Sequence, residues 1–163
     1  MSSIVRRHAS FIVIASMLSC VTAAAYADEC TLSVEANDLM QFNVHTLQVP
    51  STCQQVEVKL RHVGKQDAHV LGHDWVLARS ADVTALTNAG MAAGFDRGYL
   101  PPGDARIVAS TGIVGGGQEA TIKFSMEKLV PGGDYTFFCS FPGHAALMRG
   151  RFVVGGSQRV ATK

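Results

Sequence analysis

The chain has 163 residues, which suits one domain and is too short for two substantial cores joined by a linker. Lysine and arginine number 14 against 13 aspartates and glutamates, and two of the bases, Arg6 and Arg7, sit in an N-terminal segment that has no acid. Without that segment the balance is 12 to 13, a net charge of −1, and so near-neutral a surface argues against nucleic acid as a partner.

Residues 1–27 read as a cleaved secretory signal. A basic start is followed by an apolar run from Phe11 to Leu18, a small-residue stretch, and Ala25-Tyr26-Ala27 as the A-x-A cleavage signal, so the mature chain is expected to begin at Asp28. The apolar run falls short of the roughly 20 residues that cross a bilayer, and no other segment comes close, which predicts a soluble mature protein. A rival reading makes Cys20 a lipid-attachment site. The residues before it, Met17-Leu18-Ser19, are larger than such sites usually show.

Removal of the signal takes Cys20 with it and leaves Cys30, Cys53 and Cys139. In an oxidising compartment two of three cysteines should pair, and the third is open to oxidation unless something protects it. A metal is one such protector.

Several runs alternate apolar and polar residues with the period of a strand that has one buried face. Cys30, Leu32, Val34 and Ala36 form the first, Val56, Val58 and Leu60 the second, and Ile122, Phe124 and Met126 a later one. Pro101-Pro102-Gly103, Gly115-Gly116-Gly117 and Pro131-Gly132-Gly133 are turn clusters. The pattern predicts an antiparallel β-sandwich. Residues 81–94 are alanine-rich without alternation and predict a short inserted helix, with Ser80 and Asp82 as candidate caps. From Gly156 to Lys163 the chain is small and polar, which predicts a flexible tail.

The segment YTFFCSFPGHAALM, Tyr135 to Met148, holds Cys139, His144 five positions later and Met148 four beyond that. Thiolate, imidazole and thioether favour copper over hard ions such as calcium or magnesium. Tyr135–Phe138 and Met148–Val154 look like strands, and the loop between them, bent at Pro142-Gly143, would let the three side chains converge. In the separate segment HVLGHDWVL, His73 can close the site from a neighbouring strand. Two imidazoles and a thiolate make a trigonal set with methionine as a distant axial ligand. Gly72, lacking a side chain, would let its carbonyl oxygen approach on the opposite axis.

At this point the sequence resembles the azurins, bacterial blue-copper proteins of the cupredoxin family. The resemblance runs from Asp28 to Val154 and rests on NDLMQF around Met40, GHDWVL from Gly72, GMAAGFDRGYL from Gly90, and FFCSFPGHAALM from Phe137, whose C-x4-H-x3-M spacing is that of azurins. It implies an all-β Greek-key cupredoxin sandwich of about eight strands over residues 28–155, one copper surrounded by Gly72, His73, Cys139, His144 and Met148, and a disulfide between Cys30 and Cys53. It also implies periplasmic electron transfer through His144, out of an apolar patch at Met40, Leu71, Met91, Phe141, Gly143 and Ala146. The partners implied are other periplasmic redox proteins, a c-type cytochrome or a reductase.

Cupric ion with one thiolate carries a charge of +1 and cuprous ion none, so a dry pocket should raise the reduction potential. The departures from the family pattern fall beside the ligands. Asp74 stands where azurins usually have asparagine, Ser140 where threonine is usual, and Ala145 where serine is common. Phe141 and these two neighbours, Asp74 and Ser140, are the expected outer supports of the site. His45, His62 and His69 are read as structural, His62 at a position where azurins often have a titrating histidine, and Trp75 is read as core. A copper-storage protein that passes no electrons is the alternative, and a zinc-filled site would be redox-silent. A nitrite reductase or oxidase needs a second domain, which the length excludes for a single chain.

Overall fold

The computed structural model describes residues 29–156 and 159–162. The signal segment, its cleavage after Ala27, the start at Asp28 and Cys20 lie outside the described residues. Among the described residues no helix is long and apolar enough to cross a membrane.

Two sheets face each other. The first joins β1 (Thr31–Asn37), β2 (Gln41–Phe42), β4 (Gln55–His62) and β7 (Glu119–Ser125) in the order β2-β1-β4-β7. The second joins β3 (Val44–Val49), β5 (Val76–Arg79), β6 (Ile107–Ser110), β8 (Tyr135–Phe138), β9 (Arg149–Val154) and β10 (Arg159–Thr162) in the order β10-β3-β9-β8-β5-β6. The alternation read in the sequence is the burial pattern of β1, where Leu32, Val34 and Ala36 are buried while Thr31, Ser33 and Glu35 are not. These side chains meet Leu47, Phe137 and Phe152 of the second sheet in the main core.

The expectation of a purely antiparallel sandwich is corrected. β1 runs parallel to β4, and β3 runs parallel to β9. The chain crosses between sheets rather than folding back at each hairpin, so strands distant in sequence become neighbours, as Greek-key connections require. Part of the segment expected as a tail lies in a strand. Arg159–Thr162 pair antiparallel with β3 and cover its outer edge. A short polar run carries no alternation long enough to announce a strand, and an open edge supplies the pairing.

The inserted helix is present. A 3-10 turn at Ser80–Asp82 leads into α2 (Val83–Gly90) and a second 3-10 turn at Met91–Ala93. Asp82 stands at the cap position of α2 but its side chain makes no capping bond. The Ser80 hydroxyl instead donates to Asp134 at 2.7 Å and lies 2.8 Å from that of Thr136, tying the turn to β8. The helix packs Val83 and Leu86 on Val76, Ala78 and Phe138. Strands β5 and β8 are therefore covered on both faces, which is why WVLA and YTFF read as continuous rather than alternating runs. A second short helix, α1 (Ala68–Leu71), starts at Asp67, whose side chain accepts from the amide of His69.

Candidate metal centre

His73 precedes β5, and Cys139 follows β8, the strand beside it. Both side chains are 0 % exposed, and His144 is 4 % exposed. Double coverage of β5 and β8 fixes where these residues emerge, because neither strand can shift without disturbing α2 or the core.

The loop after Cys139 turns through Gly143, whose φ of 82° suits glycine, into a 3-10 turn at His144–Ala146. It closes with Cys139 N–H donating to the Met148 carbonyl at 3.0 Å. Met148 is fully buried in the main core cluster.

The ligand atoms of His73, Cys139 and His144 all lie within 4.8 Å of one another. Cys139 Sγ is 3.9 Å from His73 Nδ1 and 3.5 Å from His144 Nδ1. In a trigonal site with bonds of about 2.0 Å to nitrogen and about 2.3 Å to sulfur, those atoms stand about 3.7 Å apart. The observed separations bracket that value, so the three side chains fit one ion of this size. No other cluster of three histidine, cysteine or acidic residues with this spacing occurs among the described residues.

The support of His73 is backbone and aromatic. Its Nε2 donates to the Asn37 carbonyl at 2.9 Å, which leaves Nδ1 with a free lone pair aimed into the site. The buried ring of His62 stacks on it with centroids 4.7 Å apart and planes 11° from parallel. His62 is itself held by the Leu71 carbonyl at 3.2 Å and the Gly64 amide at 3.1 Å. Gly72 is required by close approach: a Cβ there would stand 2.3 Å from the Ala68 carbonyl oxygen and 2.5 Å from Ile113.

Burial sets the protonation states of the metal-free pocket. Desolvation pushes the Cys139 thiol well above its usual range, with the nearby Asp74 carboxyl adding to the rise. It lowers His73 to about 4 and lowers His144 as well. The pocket thus favours a neutral thiol and two neutral imidazoles. A cation entering it must displace the thiol proton, after which the thiolate offsets one unit of the cation's charge.

Asp74 is fully buried beside Cys139. Its Oδ1 accepts from the Ser140 amide at 2.7 Å, and its Oδ2 lies 2.5 Å from the Ser140 hydroxyl. The same hydroxyl is 2.5 Å from the Gly98 carbonyl oxygen. One hydroxyl proton cannot serve two acceptors, and both contacts are satisfied when Asp74 carries a proton and donates it to Ser140. Burial raises the carboxyl to about 6, in the same sense.

Met91, Gly143 and Ala146 are exposed, and Met40, Leu71 and Phe141 are half-buried. Leu39, Val70 and Leu147, which adjoin Met40, Leu71 and Met148 in the chain, are large apolar residues at 71, 66 and 63 % exposure. Sequence reasoning missed Gly98 and Tyr99. Nothing in the local pattern says that their loop folds onto residues 140 and 141.

Comparisons with known proteins agree with this geometry. The azurin of Bordetella pertussis is 44 % identical over 135 residues, 83 % of this chain and 90 % of that protein. The azurin of Pseudomonas aeruginosa is 43 % identical over 135 residues, 83 % and 91 % of the two chains. Azurin-1 of Alcaligenes xylosoxydans xylosoxydans is 46 % identical over 122 residues, 75 % and 95 %. The profile of the copper binding proteins, plastocyanin/azurin family, matches residues 28–155, and the chain belongs to that family.

Proposed function

We propose that the protein is exported, loses residues 1–27, and carries electrons in the periplasm through one copper that His73, Cys139, His144, Met148 and the Gly72 carbonyl would hold. The observation that carries this reading is the convergence of three ligand atoms within 4.8 Å, drawn from two distant stretches into a pocket that excludes water. When bound, copper supplies a one-electron couple between its cupric and cuprous states.

The chain's own residues do the rest. Cys139 gives up its proton and contributes a thiolate, while His73 is held in its binding tautomer by Asn37. Asp74 and Ser140 fix the backbone immediately after the thiolate. The apolar rim at Met40, Leu71, Met91, Phe141, Gly143 and Ala146, widened by Leu39, Val70 and Leu147, is a docking face for redox partners. Weak electron-transfer contacts bury less than about 1,200 Å² in total, and an apolar face of this kind releases its partner quickly. A c-type cytochrome or a periplasmic reductase fits this role.

The test is a visible spectrum of the copper-loaded, oxidised protein, followed by reduction with ascorbate. An intense blue thiolate-to-copper band that bleaches on reduction is expected. A colourless copper complex would replace this reading with metal storage.

A further inference from the structure

The loop between α2 and Leu100 is folded at visible conformational cost. Tyr99 adopts φ 49°, a left-handed backbone that non-glycine residues seldom occupy, between Gly98 at φ 61° and the buried Leu100. Such a residue persists where its surroundings over-determine it, and such places concentrate at functional sites. Here the surroundings are specific. The Tyr99 amide donates to the Gly94 carbonyl at 2.9 Å, and the Gly98 amide to that of Phe95 at 2.8 Å. Gly90, the last residue of α2, leaves room for the Tyr99 carbonyl, since a Cβ there would stand 1.8 Å from that oxygen.

What the strained turn reaches is the loop between two candidate ligands. The Gly98 carbonyl takes the Ser140 hydroxyl at 2.5 Å. The Tyr99 ring packs edge-on against Phe141 with centroids 5.4 Å apart, and Phe141 lies 4.7 Å from the His144 ring. Behind Tyr99, Phe95 packs edge-on at 6.4 Å and is itself stacked on His69 at 3.8 Å. Two consecutive residues of one turn therefore grip two consecutive residues of the ligand loop, one by a hydrogen bond and one by a ring.

We propose that Tyr99 is a positioning residue for the metal centre: its left-handed backbone presents the Gly98 carbonyl to Ser140, and its ring backs Phe141 against His144. Its ring reaches His144 through Phe141. The proposal rests on the copper reading above and adds a clamp from outside the two ligand-bearing stretches. Two effects follow from the geometry. The His144 ring is kept from tilting when the ion changes charge, and the ring stack keeps water from the Phe141 side of the pocket, where it would favour the cupric form.

The test uses the full copper-loaded protein and separates backbone from ring. Tyr99→Phe keeps the ring. Tyr99→Asn keeps the left-handed backbone, which asparagine tolerates, and removes the ring. The readouts are the cupric paramagnetic resonance spectrum and the reduction potential at an electrode, neither of which depends on a docking partner.

Tyr99→Phe is expected to match the wild type in both. Tyr99→Asn is expected to stay blue, with altered hyperfine splitting and an oxidised-to-reduced ratio at fixed applied potential raised several-fold, a tenfold change being about 59 mV. A loop that merely stabilises the fold would lower the melting temperature and leave both readouts where they were. If Tyr99→Asn does not fold, Tyr99→Leu, which keeps bulk without the ring face, takes its place. Wild-type values in the ringless variant, or an equal disturbance in Tyr99→Phe, would overturn the clamp. A colourless wild type would instead overturn the copper reading on which it rests.

Discussion

Strands β1 and β4 run side by side in the same direction and are held at their two ends by different means. At the end where they begin, Cys30 and Cys53 form a disulfide across a sequence separation of 23. At the end where they finish, Asn37 and His62 lie against His73, one through its carbonyl and one through its ring. The first attachment is covalent and complete in itself. The second is made of a hydrogen bond and a ring stack. The contrast shows how one pair of strands can be pinned covalently at one pole while the other supports side chains that would hold a guest.

Removing the guest's anchor gives the largest effect. Cys139→Ser in the copper-loaded protein is expected to lose the blue absorption entirely, while the disulfide pole and the strand content measured by circular dichroism persist. Unfolding of the metal-free variant would show that the metal pole also carries the fold. The reverse experiment replaces Cys30 and Cys53 together with serine. Chain-entropy arguments for a loop of this size give a loss of about 3 kcal/mol in denaturant unfolding, with the blue band retained. A faded band would mean that the two poles are not separable.

Acid titration of the metal-free protein sharpens the comparison further. Asp74 has a folded pKa of about 6 against an ordinary 3.8, so it withdraws stability as pH rises from about 4 to 6. His73 has a folded pKa of about 4 against 6.5, so its contribution is present above about 6.5 and is lost as pH falls toward 4. The two oppose each other over nearly the same window. His144, lowered as well, adds to the His73 side, and Asp74→Asn should climb by about 3 kcal/mol more than the wild type as pH rises from 4 to 6, since each pKa unit is worth about 1.4 kcal/mol. Parallel curves for the two proteins would remove Asp74 from the account.

The smallest effect is expected in the reduction potential. Ionised Asp74 favours the cupric form, so the potential should fall as pH rises through the titration of Asp74 and show no such step in Asp74→Asn. An identical pH profile in both would defeat the assignment.

How legible these poles were in the sequence differs in an instructive way. His73, Cys139, His144 and Met148 could be read because ligand chemistry restricts residue types sharply and the loop keeps three of them close in sequence. The strands with one wet face, β1, β4 and β7, could be read because alternation is a local property. The parallel pairing of β1 with β4 could not, since it depends on where the chain crosses between sheets. Ser80 looked like a helix cap because serine caps helices in general, yet its hydroxyl found Asp134 and Thr136, which lie more than fifty residues away. Gly98 and Tyr99 escaped for the same reason, as their importance lies wholly in what the folded chain brings against them.

The strand β10 has a consequence for how the molecule behaves in a crowded compartment. The family match ends at residue 155, and Arg159–Thr162 lie beyond it, paired to β3. Without that pairing, Val44–Val49 would present a row of unused amide and carbonyl groups, a template on which a neighbouring chain could extend the sheet. By filling that place with a strand of its own, the protein guards the flank of its second sheet against self-association.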